Sequence, residues 1–280
     1  MQTNTHSNSE NIMANQSVNS IVLLLFFAAY LIAVTGCNRV DNNNDAVSQG
    51  TSDMESEALS ENETSEFEPI FNGTDLAGWD GDSRFWRVED GIIIGETSEE
   101  TPTEENTFLI WEGEAPSNFE VRFQYRFVET GGELSGNSGF QYRSERFTNE
   151  DESNLQHRVR GPQADFAVSD WIPGIHYEEG GRGILARRGQ QVTIGVDGEP
   201  ETEQFAEEED LAEFISHAEW NNYIVYANED TMRTYINNEL MHELIDHSSE
   251  ASKEGIMAFQ IHTGPPMRVE LQNVELRTLD

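Results

Sequence analysis

Phe119-Glu120-Val121-Arg122-Phe123-Gln124-Tyr125-Arg126-Phe127 decides the fold class. Aromatics and valine alternate strictly with charged or amide side chains, and a period of two places the first set on one face of an extended strand and the second on the other. Such a segment is a half-buried antiparallel strand. Similar signals lie on both sides of it. Phe85–Val88 and Ile92–Ile94 flank Glu89-Asp90-Gly91, and an Asp-Gly pair tolerates the positive φ angles of a tight hairpin turn. Tyr223–Ala227, Met232–Ile236 and Leu240–Ile245 are separated by Asn-Glu-Asp and Asn-Asn turns, and Gly255–His262 and Met267–Leu276 bracket Thr263-Gly264-Pro265-Pro266. Helical periodicity is confined to a short surface turn at Asp210–His217. Many short strands without a βαβ rhythm predict an all-β fold, an antiparallel β-sandwich or jelly roll.

Outside this block the chain changes character. Ile21–Val34 is an uninterrupted apolar run of 14 residues, short for a membrane span and the right length for a signal-peptide core. It ends at Val34-Thr35-Gly36-Cys37, and small residues before a cysteine resemble the lipobox of bacterial lipoproteins, in which Cys37 is lipidated. Met1–Ser20 lacks the usual Lys or Arg, so an uncleaved signal anchor is the other reading; both place the rest outside the cytoplasm. Residues 38–66 are rich in Asn, Ser, Asp, Glu and Thr, too polar to offset their ordering entropy, and read as a flexible acidic tether. The expected organisation is a signal peptide with lipobox at 1–37, the tether at 38–66 and one domain at 67–280, exported and membrane-anchored at the cell envelope. Cys37 is the only cysteine, so no disulfide staples that domain.

The 53 acidic residues against 16 basic ones give a formal net charge of −37. Nucleic acid is excluded as a partner, because its binding relies on Lys and Arg neutralising phosphates. The acidic stretch Glu199–Asp210 lacks the alternating ligands and central glycine of a calcium loop and is expected to be a solvated loop.

Four polar, glycine-bearing stretches interrupt the strand pattern: NSGFQYRSE at 137–145, GPQADF at 161–166, GRGILARRG at 181–189 and FQIHTGPP at 259–266. Together they suggest one polar site on a β scaffold. With FEPIFNGTDLAGW at 67–79, FWRVEDGIIIGE at 85–96, AEWNNYIV at 218–225 and YINNELMHELID at 235–246, in this order, they resemble the 3-keto-disaccharide hydrolase domain family, in its planctomycete-like exported lipoprotein form. The resemblance runs from about Phe67 to the C-terminus.

What it implies is a jelly roll of the concanavalin A-like lectin/glucanase type, acting on 3-keto-glycosides. A C3 ketone acidifies the C2 proton; a base removes it, the C1 leaving group departs by β-elimination, and water adds back. Such a site needs a base, an acid for the leaving oxygen and donors for the enolate oxygen. The resemblance makes Asp165 the base and His262 the acid or a metal ligand, with Gln163 and Gln260 beside them. Arg143 is assigned to substrate hydroxyls or the enolate. Tyr177, Glu178, Arg182 and Arg187, with Arg188, form a second polar concentration suited to a polyhydroxylated or acidic sugar. Each has an ordinary structural use as well: a turn hydrogen bond for Asp165, a sheet-face cover for Arg143, neutralisation of carboxylates for the arginines. Trp171 or Trp79 is available to stack on a pyranose, or to sit in the core. A divalent metal is an open option, with His157, His176, Asp165, Glu178 and His262 as ligand types but no spacing that fixes a set. The expected partner is an oligosaccharide or oxidised glycoside. The alternative function is a noncatalytic carbohydrate-binding module of the envelope, and behind it a purely structural lipoprotein.

Overall fold

The computed structural model describes residues 66–147 and 157–280; the apolar leader, Cys37 and the tether up to residue 65 lie outside them. In chain order the strands begin with β1 (Glu68–Pro69), β2 (Trp79–Asp80), β3 (Trp86–Glu89), β4 (Ile92–Glu96), β5 (Thr107–Trp111) and β6 (Phe119–Phe127). There follow β7 (Asn137–Arg146), β8 (Val159–Ala167), β9 (His176–Glu179), β10 (Gly183–Ala186), β11 (Gln190–Ile194) and β12 (Pro200–Gln204). A short helix, α1 (Glu208–Ala212), precedes β13 (Asn221–Asn228), β14 (Thr231–Ile236), β15 (Glu239–Asp246), β16 (Ile256–Ile261) and β17 (Arg268–Thr278).

Two sheets result. One has ten strands in the order β12-β11-β15-β14-β13-β6-β17-β4-β3, with β1 added beside β17; the other has seven in the order β10-β9-β8-β7-β16-β5-β2. The all-β sandwich expected from the sequence is the observed fold. Among the described strands the one departure from antiparallel pairing is β11 against β15, which run parallel.

β6 occupies the middle of the larger sheet, between β13 and β17. Phe119, Val121, Phe123, Tyr125 and Phe127 are buried. Their neighbours in sequence point outward into cross-strand pairs: Arg122 with Glu275 at 2.6 Å, Arg126 with Glu270 at 2.7 Å and Gln124 with Asn222 at 2.9 Å. The ring of Phe123 joins the two sheets. Its centroid lies 5.1 Å from Tyr223 on its own sheet, and 5.0 Å from Phe259 and 5.6 Å from Phe140 on the other. Burying such rings supplies the main stabilising term of a core without disulfides.

The turns behave as their residues predict. Asp90 (φ 50°) and Gly91 (φ 79°) both take positive φ in the β3–β4 hairpin, as do Asn237 (φ 53°) and Asn238 (φ 73°) between β14 and β15. The acidic stretch 199–210 is a different matter. It forms β12, an edge strand exposed along its whole length, and the start of α1, because pairing with β11 satisfies one row of its backbone groups while its carboxylates stay in water.

A cleft on the outer face of the smaller sheet

Alternation along β7, β8, β9 and β16 sends two sets of side chains in opposite directions. Phe140, Tyr142, Ala164, Phe166, Phe259 and Ile261 face the core. Gln163 and Asp165 from β8, Tyr177 and Glu179 from β9, and Gln260 and the following His262 from β16 line a cleft of about 250 Å³. Asn106 and Asn137 border it, and Trp171, Ile172 and Ile184 give it an apolar side.

A chain of amides organises the floor. The Gln141 and Gln163 side chains meet at 2.6 Å. Gln163 Nε2 donates to Asp165 Oδ1 and lies 3.4 Å from Gln260 Oε1. Gln260 Nε2 donates to Glu179 Oε2 at 3.2 Å, and Asn106 Nδ2 to Glu179 Oε1 at 3.1 Å. Gly139 makes room for this. It pairs with Asp165 across β7 and β8, and a Cβ there would sit 2.6 Å from the Gln163 side chain and 2.7 Å from Asp165 Oδ1. The glycine of the NSG motif is thus a packing requirement of the site.

Asp165 is buried, with no cationic partner among the described residues. Removal from water pushes its carboxyl up to about 8, the Gln163 hydrogen bond opposes this, and the negative charge of Glu179 adds to it. At neutral pH it therefore carries a proton. The Tyr177 phenol is also raised, by burial first and then by Glu179 and Asp165, and stays a donor. His262 Nδ1 lies 2.5 Å from the Thr263 carbonyl; a nitrogen facing a carbonyl carries the hydrogen, so in the neutral ring the lone pair is on Nε2.

Of the four polar stretches, three converge here, on the adjacent strands β8, β7 and β16. The fourth, 181–189, contributes only the apolar side chain of Ile184. Glu178, Arg182 and Arg143, expected among the substrate-binding residues, are corrected by the structure: all three point elsewhere. Glu178 neighbours Tyr177 and Glu179 on β9, so pleating turns it to the opposite face, where Arg182 bridges it (Nε to Oε2, 2.8 Å) and Asp246 (2.7 Å). Arg143 leaves the alternation at a bulge in the β7–β8 pairing, with φ 46°. Its guanidinium is held by the carbonyls of Ser117 (2.7 and 2.9 Å) and Glu229 (2.9 Å), away from the cleft. Trp79 is a core residue stacked on Phe259 at 5.8 Å. His157 pairs with Asp80, and His176 lies in the core against Tyr142. Glu179 escaped the sequence reading, although its spacing of two from Tyr177 was the available signal. Among the described residues no group of three His, Cys, Asp or Glu side chains is arranged to hold a metal ion.

Comparison with known proteins agrees with the all-β fold. The model of the 3-keto-alpha-glucoside-1,2-lyase-like domain matches residues 66–277. The chain belongs to that family. Its function is accordingly carbohydrate-related. No curated protein matches the chain. Among solved structures, a Bacillus subtilis protein of unknown function with a galectin-like fold is 9% identical at a TM-score of 0.50, covering 76% of this chain and 94% of its own. A candidate glycosyl hydrolase from Parabacteroides distasonis is 19% identical, with a TM-score of 0.46 and coverage of 76% and 94%. The carbohydrate-binding module CBM66 from B. subtilis is 13% identical, with a TM-score of 0.46 and coverage of 72% and 96%. The likeness to the galectin-like protein is one of fold.

Proposed function

We propose that the cleft cleaves 3-keto-glycosides by elimination and rehydration, with Asp165 as the acid and His262 as the base. The observation that carries this reading is the buried carboxyl of Asp165, bonded to an amide rather than to a cation and raised toward its neutral form, in a family member whose cleft also holds a histidine with Nδ1 engaged and Nε2 free of any such bond. His262 Nε2 takes the C2 proton, and the C2–H electrons form the enolate of the C3 ketone. Tyr177 and the amides of Gln163 and Gln260 are the neutral donors that stabilise the enolate oxygen. The enolate then expels the C1 oxygen, to which Asp165 gives its proton; water then adds its hydroxyl to C1 as it returns a proton to Asp165, and His262 gives its proton back to C2. These roles invert the expectation that Asp165 is the base, since an acid with its proton in place at pH 7 serves departure of the leaving group.

The test is release of a chromogenic alcohol from a 3-keto-glucoside, beside the parent glucoside, across pH 6–9 with and without divalent cations. The expected result is release from the keto compound alone, with kcat/KM falling as pH rises through about 8, and a loss of about 10²–10⁴-fold in Asp165→Asn. Release that rises through the same range would make Asp165 the base. Binding without release would favour a carbohydrate-binding module, a reading supported by the exposed Trp171 beside the cleft. We further infer export and lipid anchoring at Cys37 from the sequence ahead of the domain; Cys37→Ala is expected to abolish labelling by a clickable fatty acid in a bacterial host and to release the protein from membranes.

A further inference from the structure

Trp171 is 47% exposed and Ile184 37% exposed, beside a polar cleft. A large aromatic left in water is informative when the backbone around it is fixed. Here it is fixed. Arg188 is buried and spends its guanidinium on three carbonyls, those of Asp170 at 2.7 Å, Pro173 at 2.8 Å and Glu208 at 2.8 Å, so the segment carrying Trp171 is clamped from beneath.

Over the Trp171 ring, with its guanidinium carbon 5.8 Å from the centroid, stands Arg187. The chain carries a net charge of −37, and among the described residues every other lysine and arginine either lies within 4.0 Å of a carboxylate or, as Arg143 does, is buried on backbone carbonyls. Among the same described residues, Arg187 is exposed and has neither. A guanidinium unpaired amid so many carboxylates, next to an apolar shelf at the edge of a cleft, is a ready partner for an anion brought in by a ligand.

We propose that the shelf of Trp171 and Ile184 with Arg187 is the subsite for the leaving-group half of the substrate, and that this half is an anionic sugar, its ring packed on the shelf and its carboxylate or sulfate on Arg187. This rests on the reading of the cleft as a 3-keto-glycoside-cleaving site. The polar floor holds the oxidised sugar, and the apolar shelf with its cation selects what is attached to it.

The test compares three 3-keto-glucosyl conjugates with the intact protein at low salt: one whose leaving half is glucose, one glucuronic acid, one a sulfated glucose. A charge-assisted contact predicts kcat/KM at least about tenfold higher for the better anionic conjugate than for the neutral one, shrinking as salt is added. The better of the two tells carboxylate from sulfate. In Arg187→Gln the anionic-to-neutral ratio is expected to fall to near one, in Arg187→Lys to an intermediate value, and Trp171→Ala is expected to lower all three rates together. A ratio near one in the unaltered protein, or a ratio that survives Arg187→Gln, overturns the subsite. Calorimetry with the unoxidised disaccharides needs no turnover and separates the two readings. If no keto conjugate is cleaved while the charged disaccharide still binds in an Arg187-dependent way, the chemistry falls and the subsite stands; turnover without charge preference does the reverse.

Discussion

The two faces of the smaller sheet bury ionisable groups in opposite ways. On the inner side of β9, Glu178 and Asp246 share Arg182, and every charge has its counter-charge within 2.8 Å. On the outer side, Asp165 of the adjacent strand β8 is buried with amides for company and with Glu179, the residue after Glu178 on β9, as a nearby negative charge. A paired buried charge is a structural element whose cost is offset locally; an unpaired one changes its protonation instead, and a cleft built around it is suited to moving protons.

The largest expected effect comes from breaking the paired side. Arg182→Ala leaves the buried Glu178 and Asp246 uncompensated and is expected to cost about 3–5 kcal/mol, read as a drop in urea midpoint, while the cleft chemistry of whatever fraction stays folded is unaltered. An effect below about 1 kcal/mol would mean that the triad is a solvated surface network. Next is Gly139→Ala on the outer side. Its methyl group would meet Gln163 and Asp165 at under 3 Å, so kcat on a 3-keto-glucoside is expected to fall about 10²-fold, the loss typical of an active-site group misplaced by about an ångström. Normal turnover would show that the amide chain on the cleft floor plays no part in catalysis.

The contrast between the faces also explains what was legible in the sequence. Strict alternation in β6 and the Asp90-Gly91 and Asn237-Asn238 turns announce a sandwich, because a period of two and positive φ are local properties. Gln163 and Asp165 on β8 and Gln260 and His262 at β16 were recoverable from motifs on strands that prove to flank β7. Which face a side chain takes was less secure wherever regularity breaks. Tyr177 and Glu178 are adjacent on a strand and so cannot line the same cleft, a constraint that points to Glu179 instead. Arg143 could not be placed by counting, since the bulge that turns it away arises from register across three strands, with Gly161 and Gly255 packed against Ser144. The parallel β11–β15 pair and the edge strand β12 depend likewise on contacts distant in sequence.

A third prediction sharpens the comparison through stability alone. The Asp165 carboxyl is raised on folding from 3.8 to about 8, so between those values the folded state binds more protons than the unfolded one, and its contribution to stability falls as pH rises. Asp165→Asn keeps the acceptor for Gln163 and removes the titration. The variant is expected to lose turnover yet to be more stable than the unaltered protein at pH 8 and not at pH 4, read as a higher Tm at the alkaline end only. A destabilised variant would place Asp165 among the structural groups of the sheet.

The smallest effect follows from the buried imidazoles of the inner side. His242 is lowered from 6.5 to about 4, by burial first, with the Gly174 carbonyl at 2.9 Å on Nδ1 and the charge of Glu243 opposing, and His176 is lowered too, by burial and then by His242 and Arg182. Here the unfolded state binds more protons, so the sign is reversed: the contribution is fully present above about 6.5 and is lost as pH falls toward 4. Over pH 5–7 the histidines and Asp165 therefore pull stability in opposite directions. In the unaltered protein the two slopes partly cancel and the urea midpoint is expected to change little. In Asp165→Asn the opposing Asp165 slope is gone, and stability is expected to drop from pH 7 to pH 5. Equal pH dependence in both proteins would mean that Asp165 does not titrate above its unfolded value, and the proton assigned to the acid of the cleft would have to come from another group.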